Sequence, residues 1–182
     1  LVAKDYNALS YHSSLKDDEE FRDYQKHLRS KFNNGEVDSI SVSAQFEFEP
    51  EYRINYWASI PDSYSEGGDL IYLSPGVGLY RTSNPFVSSE RKLPINFHFP
   101  FEETMVLKYK IPQGYEVHEL PQNKIQRSLE GKAMFVYSIS QLGDELLINT
   151  RLIIGQTLFT PDNYAALKEF YDIVVGKSGE KI

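Results

Sequence analysis

The chain has 182 residues, of which 41% are hydrophobic, and a formal net charge of −7. A chain of this length can bury roughly 70% of its unfolded surface, so it can fold without disulfides or a structural metal. The acidic balance disfavours nucleic acid and anionic membrane surfaces as partners, because both require clustered Lys and Arg. The lack of cysteine excludes a thiol nucleophile, a cysteine zinc site and disulfides within this chain.

The composition is that of a strand-rich globular domain. Thirteen Tyr and eleven Phe accompany only two Met, and aromatic side chains fit half-buried pleated surfaces. No apolar run reaches the ~18 residues of a membrane span. The chain begins Leu-Val-Ala-Lys, without Met or a signal-peptide pattern. We therefore expect residues 1–182 to be a single domain excised from a larger protein, with no membrane span.

The first predicted elements are a short strand within residues 1–12 and a helix. Ser14 is a plausible N-cap for a helix that runs to Phe32 and ends at Asn33-Asn34-Gly35, where Gly and Asn tolerate a left-handed turn. Apolar residues recur in this helix at helical spacing: Phe21, Tyr24, Leu28 and Phe32.

Alternating apolar positions predict a pair of strands next. They run from Ile40 to Phe48 and from Tyr52 to Ile60, separated by Glu49-Pro50-Glu51, and a hairpin is the simplest connection. A turn at Glu66-Gly67-Gly68-Asp69 precedes a short strand from Leu70 to Leu73. The segment from Pro75 to Glu90 is rich in Gly, Pro, Ser and Asn, which predicts a long loop.

The second half is predicted to contain more strands and a final helix. The predicted strands are a segment that includes Met105, Leu107, Tyr109 and Ile111, then Tyr115 to Pro121, Ile125 to Leu129, Ala133 to Ser140 and Leu146 to Leu158. Thr160-Pro161 starts a helix whose inward stripe is Tyr164, Leu167, Tyr171 and Val174. The expected fold is mainly β, with eight or nine antiparallel strands in a β-sandwich and one helix near each end.

Three segments carry a resemblance to a known family. They are FHFPFEETMVLKYKIPQGYEVHELP (residues 97–121), LGDELLINTRLII (142–154) and TPDNYAALKEFYDIVV (160–175). In this order they resemble the C-terminal domain of bacterial transglutaminase-like proteins of the Bacteroidetes type. GDLIYLSP (68–75), NPF (84–86) and ERKLPINFHFPFE (90–102) are similar to the same family's middle segment.

The resemblance implies a β-sandwich, of which the immunoglobulin-like fold is one form, without an assigned function. It implies an extracytoplasmic location, periplasmic or in the cell envelope, and a preceding papain-like domain as partner. The catalytic Cys, His and Asp of such proteins lie in that preceding domain, so none of them carries over to this chain.

No catalytic, cofactor or metal site is predicted. The four histidines, His12, His27, His98 and His118, lack zinc-site spacing, although His98 and His118 flank neighbouring predicted strands and could approach each other. Glu102 and Glu103 are adjacent on a strand and point to opposite faces, unlike a glycosidase pair. We expect this chain not to be an enzyme and to need no cofactor.

Two further patterns match catalytic or cofactor motifs only in part. Gly76-Val77-Gly78 has Arg81 at the place of the third glycine of a dinucleotide fingerprint, and no helix pattern follows it. Ser89 to Lys92 fits the S-x-x-K string, but it lies in a predicted loop without its companion motifs. Both matches are interpreted as chance.

Aromatic residues give the only candidates for binding. Trp57 shares the odd face of its strand with Arg53 and Asn55, where it could stack on a sugar or anchor a partner, unless a helix or second sheet covers it. Aromatic residues around the long loop could line a groove or seal the end of the sandwich. The candidate residues for ligand or partner binding are Trp57, Arg53, Asn55, Tyr72, Tyr80, Arg81 and Phe86.

Three functions fit these patterns. The first is a non-catalytic accessory module that packs on the transglutaminase-like domain or on another envelope protein, which requires an exposed apolar patch. The second is a glycan- or peptide-binding module with exposed aromatics beside hydrogen-bonding side chains. The third is an unrecognised hydrolase, which requires a concave pocket with titratable groups within hydrogen-bond reach of one another.

Overall fold

A computed structural model describes residues 1–4, 8, 11, 17–32, 35–45, 51–75 and 81–182. The strands are β1 (Val2–Lys4), β2 (Glu36–Gln45), β3 (Glu51–Ser59), β4 (Tyr64–Gly67), β5 (Leu70–Leu73), β6 (Ile95–Asn96), β7 (Phe101–Lys110), β8 (Lys124–Ser128), β9 (Ala133–Leu142), β10 (Glu145–Ile154) and β11 (Leu158–Phe159). The helices are α1 (Asp18–Lys31) and α2 (Tyr164–Ser178), with short 3₁₀ turns at Pro61–Ser63, Leu129–Gly131 and Pro161–Asn163.

Seven strands form one antiparallel sheet in the order β2-β3-β1-β7-β10-β9-β8. The hairpins β2–β3 and β9–β10 are local, whereas β1 joins distant parts of the chain: Val2 pairs with both Arg53 and Thr104. Two-stranded ribbons, β4–β5 and β6–β11, complete the described strands. The predicted mainly β class, with antiparallel strands and a helix near each end, is confirmed.

Both helices cover the same face of the sheet. Leu167, Phe170 and Tyr171 of α2 belong to the large core with inward residues of β9 and β10. Leu28 and Phe32, from α1 and its C-cap, belong to a smaller core that includes Val37 of β2. The register shows that both cores lie on one face of the sheet. One row of cross-strand partners runs across β3, β1, β7 and β10 and consists of Tyr52, Ala3, Glu103 and Leu152, so the inward side of β3 and that of β10 are the same face. The opposite face carries no second layer among the described residues.

The N-terminal helix begins later than the sequence predicted. Its N-cap is Asp17 rather than Ser14, and the Asp17 carboxylate accepts hydrogen bonds from the backbone N–H groups of Glu19 (3.1 Å) and Glu20 (2.9 Å). A carboxylate at this position satisfies free amides and interacts favourably with the helix dipole. Ser14 and the predicted stop at Asn33-Asn34 lie outside the described residues.

Gly35 connects α1 to β2 at a place with no room for a side chain. A Cβ atom there would lie 2.7 Å from the Phe32 Cβ and 2.8 Å from the Ser59 carbonyl oxygen. We expect Gly35→Ala to destabilise the fold by about 1–3 kcal/mol, the usual cost of overpacking. The matched control is Gly176→Ala in α2, where a Cβ meets nothing within 4 Å and alanine is the better helix former.

Urea unfolding of the two glycine variants measures this difference. The midpoint should fall for Gly35→Ala and stay or rise for Gly176→Ala. Equal midpoints for Gly35→Ala and the unchanged chain would contradict the close approach at Gly35.

The segment from Tyr115 to Pro121 is not a strand, which corrects the prediction. The next strand, β8, lies at the far edge of the sheet beyond β10 and β9, so residues 111–123 cross the end of the sheet. The Ile111 N–H donates to the Asp144 carbonyl (2.7 Å), and the Asn123 side chain accepts from the Ile139 N–H (2.8 Å). The crossover is therefore anchored at both ends without pairing as a strand.

The long strand predicted from Leu146 to Leu158 is also divided. β10 ends at Ile154, where the Gly155 N–H donates to the Lys132 carbonyl (2.7 Å). The chain then leaves the large sheet, and β11 pairs with β6 instead. The predicted loop is confirmed over residues 81–90, which contain neither helix nor strand.

Candidate binding surfaces

The face of the seven-stranded sheet opposite the helices, called the open face below, exposes apolar side chains on the half of the sheet that runs from β7 to β8. Ile125 is 61% exposed, Leu142 76% and Val106 47%. Other apolar side chains on this face, by register, are Met134, Val136, Leu147 and Ile153, all partly buried. Outward positions of an antiparallel sheet that faces water usually hold polar residues. The cross-strand neighbours Ile125–Val136 and Met134–Ile153 therefore depart from this pattern, whereas Asn149 and Ser138 on the same face follow it.

Ion pairs cross the middle of the open face. Glu102 on β7 accepts a hydrogen bond from Arg151 (2.7 Å), which raises the pKa of the Arg151 guanidinium, and it lies 3.9 Å from the Lys4 ammonium. On β3, Arg53 pairs with Glu51 (2.9 Å). Exposed pairs of this kind contribute little to stability. They separate the apolar end of the face from the polar end around Trp57.

Trp57 lies on β3 with its side chain 73% exposed, and no described residue buries it. Arg53 and Asn55 occupy the same face of the strand and are also exposed. Across the hairpin, Ser39 pairs with Trp57 and Ser41 with Asn55. The predicted grouping of Trp57, Arg53 and Asn55 on one polar face is confirmed, and the alternative in which another layer covers Trp57 does not hold for the described residues.

A cleft of about 1360 Å³ lies on the helix side of the molecule. Its walls are the β4–β5 hairpin, the crossover 111–123 and the C-terminal end of α2. Tyr64, Tyr72 and Tyr115 line it and are 51%, 41% and 51% exposed. Sequence reasoning missed this cleft because the crossover was interpreted as a strand. Pro112 and Pro121, which bracket the segment, were the available signal against regular pairing.

The remaining predicted residues do not join Trp57. Tyr72 lies in the cleft, whereas Arg81 lies on the covered side of the sheet, 3.9 Å from the Glu103 carboxylate and over the ring of Tyr171 at 5.9 Å. Tyr80 is outside the described residues. The candidate residues are therefore divided between the open face and the helix side.

Phe86 is buried in the large core, which corrects its assignment to a ligand surface. Its ring packs edge-on against Tyr164 (5.7 Å between centroids) and Tyr171 (5.2 Å). Asn84 fixes the loop here by donating to the Lys168 carbonyl (2.8 Å) and the Asp172 carboxylate (2.7 Å). Phe86 thus closes the end of the core, the second of the two roles considered for the loop aromatics.

The titratable groups form no reactive arrangement in the described part of the chain. No group of three or more His, Asp or Glu is placed to hold a metal ion there. Glu102 faces Arg151 on the open face and Glu103 faces Arg81 on the other side, as predicted for adjacent strand residues. His118 lines the cleft, but no hydrogen bond joins its side chain to another described residue.

Residues 69–182 match a protein family described as a domain of unknown function with a solved structure, DUF3858. The match covers more than half of the chain. The chain belongs to the DUF3858 family. No curated protein and no solved structure matches it. The family segment begins in the turn of the β4–β5 hairpin and contains all of the large core, while residues before it add β1, β2 and β3 to the sheet.

The DUF3858 segment and the residues before it share one sheet, yet the assignment of residues 1–182 to a single domain stays a prediction.

Within the described ranges, no helix is both long and apolar enough to cross a membrane.

Proposed function

We propose that this DUF3858 chain is a non-catalytic interaction module, which docks through the open face onto a transglutaminase-like domain of the same cell-envelope protein. The resemblance of residues 97–121, 142–154 and 160–175 motivates the choice of partner and the extracytoplasmic location. The apolar patch on β8, β9 and β10 is the observation that supports docking.

The position of the patch is what favours a partner domain. The covered face already has its helices, so the outward Ile125, Val136 and Ile153 contribute nothing to the core of this chain. Exposed patches of this type, rimmed by polar residues, mark protein interaction sites. The rim here is the row of ion pairs around Glu102.

The substitution Ile125→Glu tests this proposal in the transglutaminase-like protein that carries the domain. We expect the isolated chain to keep its stability, since Ile125 is exposed, and docking in the whole protein to weaken at least tenfold. Small-angle scattering and limited proteolysis of the whole protein would detect the released domain. Asn55→Glu, at the polar end of the same face, is the control and should leave docking unchanged. Compact, protease-resistant protein with Ile125→Glu would contradict docking through this patch.

A second function, glycan binding, is favoured by the exposure of Trp57. A tryptophan ring beside Asn55, Arg53 and Ser39 offers a stacking surface with hydrogen-bonding groups around it. Trp57 is the only tryptophan, so its fluorescence has one source. We expect red emission that acrylamide readily quenches, and a blue shift when a bound cell-wall glycan covers the ring. Emission that no glycan shifts would remove this function and leave the accessory module.

A further inference from the structure

The β4–β5 hairpin has little support of its own. It forms a separate two-stranded sheet, and no described strand outside it pairs with it. All four residues of β4 are exposed, and β5 alternates between exposed and half-buried residues. A two-stranded hairpin is marginally stable by itself in water, and regions with few buried apolar contacts open most easily. The position of this hairpin therefore depends on contacts from residues outside it.

Residues 179–182, called the strap below, supply such contacts. They lead from the end of α2 to β5, where the Ile182 N–H donates to the Leu73 carbonyl (2.9 Å) and the Leu73 N–H donates to the Ile182 carbonyl (2.7 Å). This exchange of two bonds is the pattern of an antiparallel pair. The Lys181 ammonium also donates to the Ser65 hydroxyl on β4 (3.4 Å). The strap thus contacts both strands of the hairpin.

The strap is also attached to the large core. Glu180 forms an ion pair with Lys177 of α2, whose side chain is only 9% exposed and whose ammonium lies 4.9 Å from the centre of the Tyr137 ring. Salt screens such a partly buried pair less than it screens a surface pair. The Ile182 side chain packs against the large core. The strap therefore joins a well-packed part of the molecule to a part with few contacts.

The hairpin and the strap both border the cleft. Its lining includes all of β5, residues 180–182 of the strap and the crossover 111–123. The hairpin is not part of the seven-stranded sheet, so it can move without breaking any pairing within that sheet. Movement of the hairpin away from the crossover would widen the cleft.

We propose that the strap controls access to the cleft. While Ile182 is paired with Leu73, the hairpin stays beside the end of α2 and the cleft is closed to its width in this structure. When this pairing opens, the hairpin moves away and the cleft widens. A backbone hydrogen bond changes an equilibrium constant only about fivefold, so two such bonds can open without unfolding of the large core. The cleft is separate from the open face, so the proposal rests on neither function proposed above.

Ile182→Pro tests the strap, because proline lacks the N–H that donates to Leu73. Ile182→Ala is the matched control, since it also shortens the side chain but keeps both backbone hydrogen bonds. We expect the amides of β4 and β5 to exchange about fivefold faster in Ile182→Pro than in Ile182→Ala. The amides of β9 and β10 should be equally protected in both variants. Equal exchange of the hairpin in the two variants, or a loss of protection that includes β9 and β10, would overturn the proposal.

Thiol labelling measures access to the cleft directly. The chain has no cysteine, and Ile173 of α2 lines the cleft and is half-buried, so Ile173→Cys introduces a single reporter thiol there. We expect a bulky maleimide to react with it faster when combined with Ile182→Pro than with Ile182→Ala. Leu142→Cys, at an exposed position on the open face, is the control thiol and should react equally in both backgrounds. Equal rates at position 173 in both backgrounds would show that the strap does not control the cleft.

Discussion

We expect Ala3→Asp to unfold the N-terminal part of the sheet while the large core around α2 stays folded. Ala3 is fully buried, and its partners in the sheet are Tyr52 on one side and Glu103 on the other. A carboxylate at this position would be buried beside a like charge. An uncompensated buried charge costs about 3–5 kcal/mol, a large share of the stability of an ordinary domain.

The effect should stop at β1 because the two parts of the chain have separate cores. The large core takes all its buried residues from Phe86 to Val174, whereas the smaller cores take theirs from residues 8–54. The three-residue strand β1 joins them within the sheet. The DUF3858 match, which begins at Asp69, lies on one side of this junction.

Hydrogen exchange by mass spectrometry measures the outcome. Protection of β3 should fall in the Ala3→Asp variant, while protection of β9 and β10 should persist. Val2→Asp is the matched control, since Val2 faces the open side next to Arg53, and it should leave both regions protected. Loss of protection in β9 and β10 together with β3 would show instead that the sheet unfolds as one cooperative unit.

The second large effect is unfolding in alkali. Burial raises the pKa of Tyr137 to about 12, with the Glu180 charge as a smaller cause, and burial likewise raises the pKa of Tyr171 to about 12. Burial also raises the pKa values of Tyr11 and Tyr56. Between pH 10 and pH 12 these tyrosines ionise in the unfolded chain while they stay protonated in the folded one. The free energy of unfolding is therefore unaffected by them below pH 10 and falls above it.

The expected slope is large enough to unfold the protein. Each such tyrosine removes about 1.4 kcal/mol of stability per pH unit, so Tyr137 and Tyr171 together remove about 5 kcal/mol over two units. Circular dichroism at increasing pH should show a cooperative transition within this range. A fold that keeps its full denaturant resistance at pH 12 would contradict this expectation.

Tyr137→Phe provides the matched variant for the alkaline transition. The Tyr137 hydroxyl is buried and finds no hydrogen-bond partner among the described residues, so its removal should cost little at neutral pH. The slope of stability against pH above pH 10 should decrease by about 1.4 kcal/mol per unit. An unchanged slope would mean that Tyr137 ionises equally in the folded and unfolded chain.

Elements whose pattern is local were predictable. Alternation along β3 and the apolar stripe of α2 each report which side of a single element is buried, and the structure turns those residues to the covered side. The start of β2 was not predictable. A bulge between Val37 and Ser39 moves Val37 onto the covered face, so the alternation read from Ile40 does not extend back to Glu36.

The candidate binding residues were likewise predictable only in part. That Trp57, Arg53 and Asn55 share a face follows from the two-residue period of a strand, and it was predicted. The exposure of Trp57 depends on whether a second layer also covers the polar face of β3, which the alternation along β3 does not decide. The burial of Phe86 likewise depends on its contacts with Tyr164 and Tyr171, which lie about eighty residues further along the chain.

The sequence by itself determined the class of fold, the faces of its periodic elements and the exclusion of cysteine chemistry, because these depend on composition and on neighbours a few residues apart. Tertiary structure alone decided the order of the strands, the crossover 111–123 and the cleft beside it. Ladders between distant segments, such as β1 with β7 and Leu73 with Ile182, set these features. Such ladders consist of backbone hydrogen bonds, and every residue except proline carries the same backbone donor and acceptor. The side-chain pattern of a strand therefore does not specify which other strand it pairs with.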